Sequence, residues 1–214
     1  KGYKAFYVAV GAQGGRLAGV PGEDADGVQT GVDFLRRINL AEEGAMFVDN
    51  MAVPGSEMLP ADIKLSGRTV VIGGGNVAID VARTALRAGS DSVSMYCLES
   101  QAEMPAAADE VAEAREEGVV VWNGWGPKEI LAEAGKVKGI ILKKCVSVFD
   151  ENGRFHPVYD ENECITVECE NILLSIGQSV QWGELLKDTA VEFNANGTAK
   201  ADPVTYQTKE PDIF

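Results

Sequence analysis

At 214 residues, with 45% apolar and 24% charged side chains, the chain is long enough to bury one substantial core with a smaller appended piece. Its 19 Lys and Arg stand against 33 Asp and Glu, and the net charge of -14 repels nucleic acid and anionic membrane surfaces, which argues against both as partners. No run approaches about 18 consecutive apolar residues, and the opening KGYKAFYVAVGA lacks the long apolar centre of a signal peptide, so no membrane insertion and a cytoplasmic location are expected.

The first apolar run, AFYVAVGA from Ala5 to Ala12, reads as a buried strand ending at a glycine, and QGGRLAGVPGEDADG as a long irregular loop. GVDFLRRINLAEE has partial helical periodicity through Val32, Leu35 and Ile38 and predicts a short helix. Residues 46 to 66 carry two prolines and read as linker. From Gly67 the pattern becomes regular. RTVVIGGG is a strand entering a glycine turn, NVAIDVARTALRAG a helix closed by Gly89, and SVSMYCL a second strand. Pro105 suits the first turn of a helix, AAADEVAEAREEG, that Gly118 closes, and VVVW is a third strand.

Strands alternating with helices over about 55 residues predict parallel βαβ units, with right-handed crossovers that cover both faces of the sheet. Beyond them KEILAEAG, KVKGIILKKCVSVFDENG and ECITVECE are strands joined by glycine turns with no room for helices, an antiparallel meander. NILLSIG returns to the parallel sheet, and QSVQWGELLKD predicts a short helix before a tail of loop and edge strand. The expected fold class is therefore α/β: a Rossmann-like parallel sheet with helices on both faces plus an antiparallel β-meander.

The stretch VVIGGGNVAID carries the chemistry. Gly73, Gly75 and Ala78 fit G-x-G-x-x-G/A, after a strand and opening a helix as a dinucleotide fingerprint requires. Gly73 makes the tight turn, Gly75 lets a pyrophosphate touch backbone, and Ala78 allows close helix-sheet approach. The anion sits on the N–H groups of the turn through Gly74, Asn76 and Val77, at the positive end of the helix dipole. Nucleotide choice is expected at the end of the second strand, where Glu99 stands 26 positions after Gly73, a little beyond the usual ~20, and is either the ribose acceptor or a solvated surface carboxylate. A carboxylate there accepts hydrogen bonds from ribose hydroxyls, whereas a 2′-phosphate asks for Arg, and YCLESQAEMP has no base. Glu110, on the following helix, approaches the nucleotide from above or lies with Arg115 on a solvated face; Trp122 and Trp125 either wall the site or, more simply, pack in the core.

No catalytic residue is singled out. Ser, His and Asp do not gather beside the turn, and hydride transfer needs none of them because the cofactor carries the chemistry. Cys97, Cys145, Cys164 and Cys169 show no CxxC spacing, and Cys164 and Cys169, five apart, fall on opposite faces of an extended strand. They read as thiols without chemistry, and the single His156 as a turn residue, so no metal site is expected.

Taken in order, GGGNVAIDVARTALRAG, CLESQAEMPA, DEVAEAREEGV, CVSVFDENGRFHPVYDE, ILLSIGQ and DPVTYQTKEPDIF resemble the glutamate synthase small-chain (beta subunit) family of FAD-dependent, pyridine nucleotide-linked oxidoreductases. The resemblance covers nearly all of the chain. It implies an NAD(P)-binding domain inserted into an FAD domain, left at AFYVAVGAQ and re-entered at ILLSIGQ. Residues 1–66 are then hinge, FAD-domain remnant and linker, 67–178 the NAD(P)-binding domain, and 179–214 the return segment toward the FAD domain. Ile176 and Gly177 join the nucleotide site, and Gly11 and Ala12 are FAD contacts of the full-length protein. Hydride passes from NAD(P)H to FAD, and electrons then pass to an iron-sulphur domain or an accepting subunit. The family's FAD fingerprint and closing glycine-glycine-aspartate segment are not among these residues, so the 214 residues alone are expected to bind nucleotide yet stay redox-silent. The family's paired arginines for the 2′-phosphate fall near Cys97 and Leu98 here, followed by Glu99, so NAD(H) is expected over NADP(H). An alternative stays open: a stand-alone dinucleotide-binding or subunit-interaction module without redox activity.

Overall fold

The computed structural model describes residues 2–42, 47–48, 51–52 and 64–214. They divide into two compact units, Gly15–Gly177 and a smaller one made of Lys1–Gly14 with Gln178–Phe214. In chain order the elements are β1 (Gly14–Gly15), β2 (Val28–Thr30), α1 (Gly31–Glu42), β3 (Phe47–Val48), β4 (Met51–Ala52), β5 (Arg68–Ile72), α2 (Asn76–Arg87) and β6 (Ser92–Cys97). Then come α3 (Ala108–Glu116), β7 (Val120–Asn123), β8 (Trp125–Glu133), β9 (Lys136–Phe149), β10 (Phe155–Glu168), β11 (Asn171–Leu174) and β12 (Gln178–Ser179).

The larger unit is built on a five-stranded sheet in the order β2-β11-β5-β6-β7, with every pairing parallel. Alternate residues of each strand go to opposite faces, and the two faces have different cores. Val71, Val93, Met95 and Leu173 meet Phe34 of α1, the Ala78, Ile79, Val81, Ala82 and Ala85 face of α2, and Val111 and Ala114 of α3. The alanines of α2 let it lie close to the strands, and Ala78 is fully buried. Val70, Ile72, Tyr96, Ile172 and Leu174 meet Trp125, Ile130, Val137, Ile140 and Leu142 of the meander β8-β9-β10.

The α/β class, the parallel sheet and the meander are thus as expected, but the expected second layer of helices is not: among the described residues the meander covers that face. A strand buried on both sides shows the same apolar run whichever layer lies over it, so the sequence does not distinguish the two covers.

Local expectations fare unevenly. NILLSIG does return to the sheet, its Ile172 lying beside both Val28 and Val70. The run Ala5–Ala12 is not a buried strand. Its only bridge is Phe6 to Ile213, and Tyr7 is 80% exposed. Between the expected loop, residues 13–27, and the expected helix, Val28–Thr30 form a sheet strand too short to show alternation, which the sequence reading leaves unassigned. Pro105 lies outside α3, whose N-cap is Ala107, and Gly183–Asp188 form turns rather than a helix. Most of the expected linker 46–66 lies outside the described residues. No described helix is long and apolar enough to cross a membrane.

All four cysteines are free. Burial, then the carboxylate of Glu99, pushes the Cys97 thiol up to about 12; burial, then Glu170, does the same to Cys169. Cys164 is exposed. Since the thiolate is the reactive form, a thiol reagent at about pH 8 is expected to label Cys164 in the folded protein and to reach Cys97 and Cys169 only after denaturation. Peptide mass mapping reads this directly, and early labelling of Cys97 would contradict the packing described.

Candidate functional site

The buried run of β5 ends at Gly73, whose φ is +145°. Its N–H donates to the Tyr96 carbonyl at 2.9 Å, and a Cβ on it would collide with the carbonyl of Ser175. The turn is therefore wedged between the ends of β6 and β11. At Gly74 a Cβ would lie 2.7 Å from Glu99 Oε2 and 3.0 Å from Cys97 Cβ, so the end of β6 lies directly over it. Gly75 differs. A Cβ there would meet nothing within 4 Å.

Gly75 is the N-cap of α2, and no side chain caps the helix. Its carbonyl accepts from Ala78 N at 2.9 Å and Ile79 N at 3.2 Å, and there is no acidic residue in the first turn. The leading N–H groups, those of Asn76 and Val77, thus have no carboxylate or hydroxyl cap, and the positive end of the dipole faces the open side of Gly75.

Around this turn the structure gathers the other expected residues. Asn123, at the end of β7, donates through Nδ2 to the Glu99 carbonyl at 3.1 Å and to the Cys97 thiol at 3.2 Å. Gly124 N donates to the same carbonyl at 3.2 Å, so the Glu99 backbone is pinned while its carboxylate stays above the glycines. Leu98 is half-buried beside Gly126. From α3, Glu110 Oε1 accepts from Asn76 Nδ2 at 3.5 Å, and Asn76 Oδ1 accepts from Ala107 N at 2.9 Å, tying α3 to the glycine turn. Glu110 Oε2 is buried with no hydrogen-bond partner, and so is Ser175 Oγ. An unpartnered buried polar atom costs roughly 1–3 kcal/mol, which a ligand donor reaching Glu110 would recover.

Ile176 and Gly177 follow β11 on the other side of the turn, with Gly177 O accepting from Arg16 N at 3.1 Å. Gly11 and Ala12 belong to the smaller unit; Gly11 has φ +67° and open space at its Cβ position. Trp125 is buried in the meander core, as the packing reading expects, whereas Trp122 is 49% exposed and stacks on Tyr96 with ring planes 8° apart. Asn123, Ser175 and Lys144 carry no motif and were reached only through the fold. Lys144 Nζ stands 4.7 Å above the Trp125 ring, in a cleft of about 410 Å³ that Leu98, Ser100, Asn123 and Phe149 also line. No group of three or more His, Cys, Asp or Glu suited to a metal occurs among the described residues.

A glycine turn with open space at Gly75, a bare helix N-terminus, a carboxylate over the turn and an orphaned carboxylate oxygen at its side suit a dinucleotide. Known proteins share both fold and sequence. The fold matches that of Mycobacterium tuberculosis FprA in complex with NADPH, with a TM-score of 0.72 and 20% identity, over 99% of this chain and 57% of that one. The chain is 36% identical over 219 residues to the NADP(+)-dependent formate dehydrogenase subunit beta of Moorella thermoacetica, covering 99% of this chain and 28% of that protein. It is 31% identical over 219 residues to the NADPH glutamate synthase small chain of Halomonas elongata, covering 99% and 44%. The resemblance to glutamate synthase small chains is thereby borne out, and the chain spans less than half the length of either relative. Residues 2–214 match the family described as pyridine nucleotide-disulphide oxidoreductase, and by that match the chain belongs to it.

Proposed function

We propose that the turn Gly73–Ala78 binds the pyrophosphate of NAD(P)H and that the chain serves as the nicotinamide-nucleotide domain of an FAD-dependent oxidoreductase resembling the glutamate synthase small chain. The observation that carries this reading is the open space at Gly75 in front of the uncapped helix α2. Gly73 shapes the turn, Asn76 and Val77 offer N–H groups to the phosphates, and Ala78 keeps the helix close to the sheet. Glu99 receives the adenine-ribose hydroxyls, with Cys97 and Leu98 as an uncharged floor. Glu110 takes a hydroxyl on its free oxygen, and Ile176 and Gly177 edge the nicotinamide end.

When bound, the nicotinamide supplies a hydride and FAD receives it; the chain's residues orient the nucleotide and exclude water. Gly11 and Ala12 are proposed to contact FAD in the full-length protein, and an iron-sulphur domain or accepting subunit takes the electrons onward. The proposed nucleotide-binding domain, 67–178, falls almost entirely within the unit Gly15–Gly177, which also takes in β2 and α1. A cytoplasmic location goes with this reading.

Both relatives carry NADP in their names, yet the Glu99 carboxylate over Gly74 favours a ribose diol and repels a 2′-phosphate. Calorimetry is expected to show NADH binding about tenfold tighter than NADPH, ~1.4 kcal/mol. NADPH binding as tight as NADH would overturn the preference, and absence of binding by both would overturn the site.

A further inference from the structure

The stretch around Glu99 offers no base to a 2′-phosphate, but the fold brings one from the meander. Leu98 and Ser100, the residues on either side of Glu99, line the same cleft as Lys144 of β9. Lys144 Nζ lies 3.5 Å from where a Cβ on Gly124 would stand, and Gly124 N is one of the two donors, with Asn123 Nδ2, that pin the Glu99 carbonyl. The ammonium is therefore about one residue's breadth from the segment that presents Glu99.

Lys144 is held in an unusual way. It sits over the Trp125 ring at 4.7 Å, and among the described residues no carboxylate lies within salt-bridge distance of it. Glu103 also lines the cleft, but its Oε2 is taken up by Ser100 Oγ at 2.6 Å and Ser100 N at 3.3 Å. Lys144 is the only cation among the residues lining the cleft. An ammonium fixed by an aromatic face keeps its full charge for an anion that enters beside it. A 2′-phosphate that reached this cleft from a ribose held at Glu99 would be attracted by Lys144 and repelled by Glu99 beside the cleft and Glu103 in its lining.

We infer that Lys144 is a specificity-determining residue of the nucleotide site, the cation that sets how far a 2′-phosphate is tolerated. The inference rests on the reading of Gly73–Ala78 as the pyrophosphate turn. It makes discrimination a balance between two residues from different layers of the fold, rather than the absence of arginines from one strand end.

The test compares ligands that differ only in the 2′-phosphate: NADPH against NADH, and 2′,5′-ADP against 5′-AMP, by calorimetry on the 214-residue protein. Lys144→Met is expected to weaken NADPH and 2′,5′-ADP about tenfold and NADH and 5′-AMP less than twofold. Lys144→Arg, which keeps the charge, is expected to hold NADPH within about threefold of the unaltered protein. Raising the salt concentration is expected to narrow the gap between Met variant and parent. Equal weakening of NADH and NADPH would show that Lys144 only supports Trp125, and unchanged NADPH affinity would show that it faces no phosphate; both overturn the inference. Failure of the unaltered protein to bind NADH strikes instead at the site reading, so the two failures are told apart.

Discussion

Gly75→Val is expected to remove measurable NAD(H) binding, a loss of more than a hundredfold, in a protein that remains folded. The two halves of that expectation have separate grounds. The backbone at Gly75 has φ -94° and ψ 174°, an extended conformation that a β-branched residue adopts readily. No neighbouring atom lies within 4 Å of the new Cβ, and no side-chain cap is lost. The N-cap preference for glycine over valine costs about 1 kcal/mol at most, a fall in melting temperature of a few degrees. Binding suffers differently, because the new methyl groups stand in the open space at Gly75, in front of the helix N-terminus. A phosphate held off by one methyl layer loses charge-assisted hydrogen bonds of about 1.5–3 kcal/mol each and the dipole contribution with them. Two such losses exceed the ~2.7 kcal/mol of a hundredfold change. Calorimetry with circular dichroism checks both halves, and unchanged affinity in a well-folded variant would falsify the assignment of the turn.

What was legible in the sequence was whatever local physics writes at short range. Gly73, Gly75 and Ala78 are spaced by the needs of one turn and one helix face, and Ala82 and Ala85 repeat that face, so the strand, turn and helix were readable from consecutive residues. The meander was readable because Gly135 and Gly153 break apolar runs too short for crossover helices. The rest depended on contacts between distant segments. Which layer covers Val70, Ile72 and Ile172 leaves no mark on those strands, and β2 has too few residues to display a period. AFYVAVGA is apolar enough for a core strand, yet in the smaller unit its backbone pairs with Asp212 and Phe214 rather than with a sheet. Ser175 just beyond β11, Asn123 at the end of β7 and Lys144 of β9 come from three distant segments, each as a single residue without a motif.

Gly73 shows why two glycines of one fingerprint answer to different forces. Gly73→Ala is expected to destabilise the fold by about 3–5 kcal/mol, the sum of a strained positive φ and an overlap with packed backbone. The φ of +145° is one that side chains rarely adopt, and the added Cβ points into the Ser175 carbonyl, with the Ser175 carbon only 2.9 Å away. That carbonyl has no room to retreat. Ser175 N donates to Ile72 O at 2.7 Å, continuing the parallel ladder in which Leu174 lies beside Ile72, and Gly73 N is held by Tyr96 O at 2.9 Å on the other side. Relief therefore requires opening the centre of the sheet, between β11, β5 and β6, where Ile72, Leu173 and Leu174 are buried. A fall in melting temperature of roughly 10 °C follows for a chain of this size. Nucleotide affinity should fall only as the folded fraction falls, the reverse of the pattern at Gly75. An alanine variant that melts with the parent would mean that the turn relaxes freely, and the wedge between β6 and β11 that positions the helix N-terminus would then not be the source of its geometry.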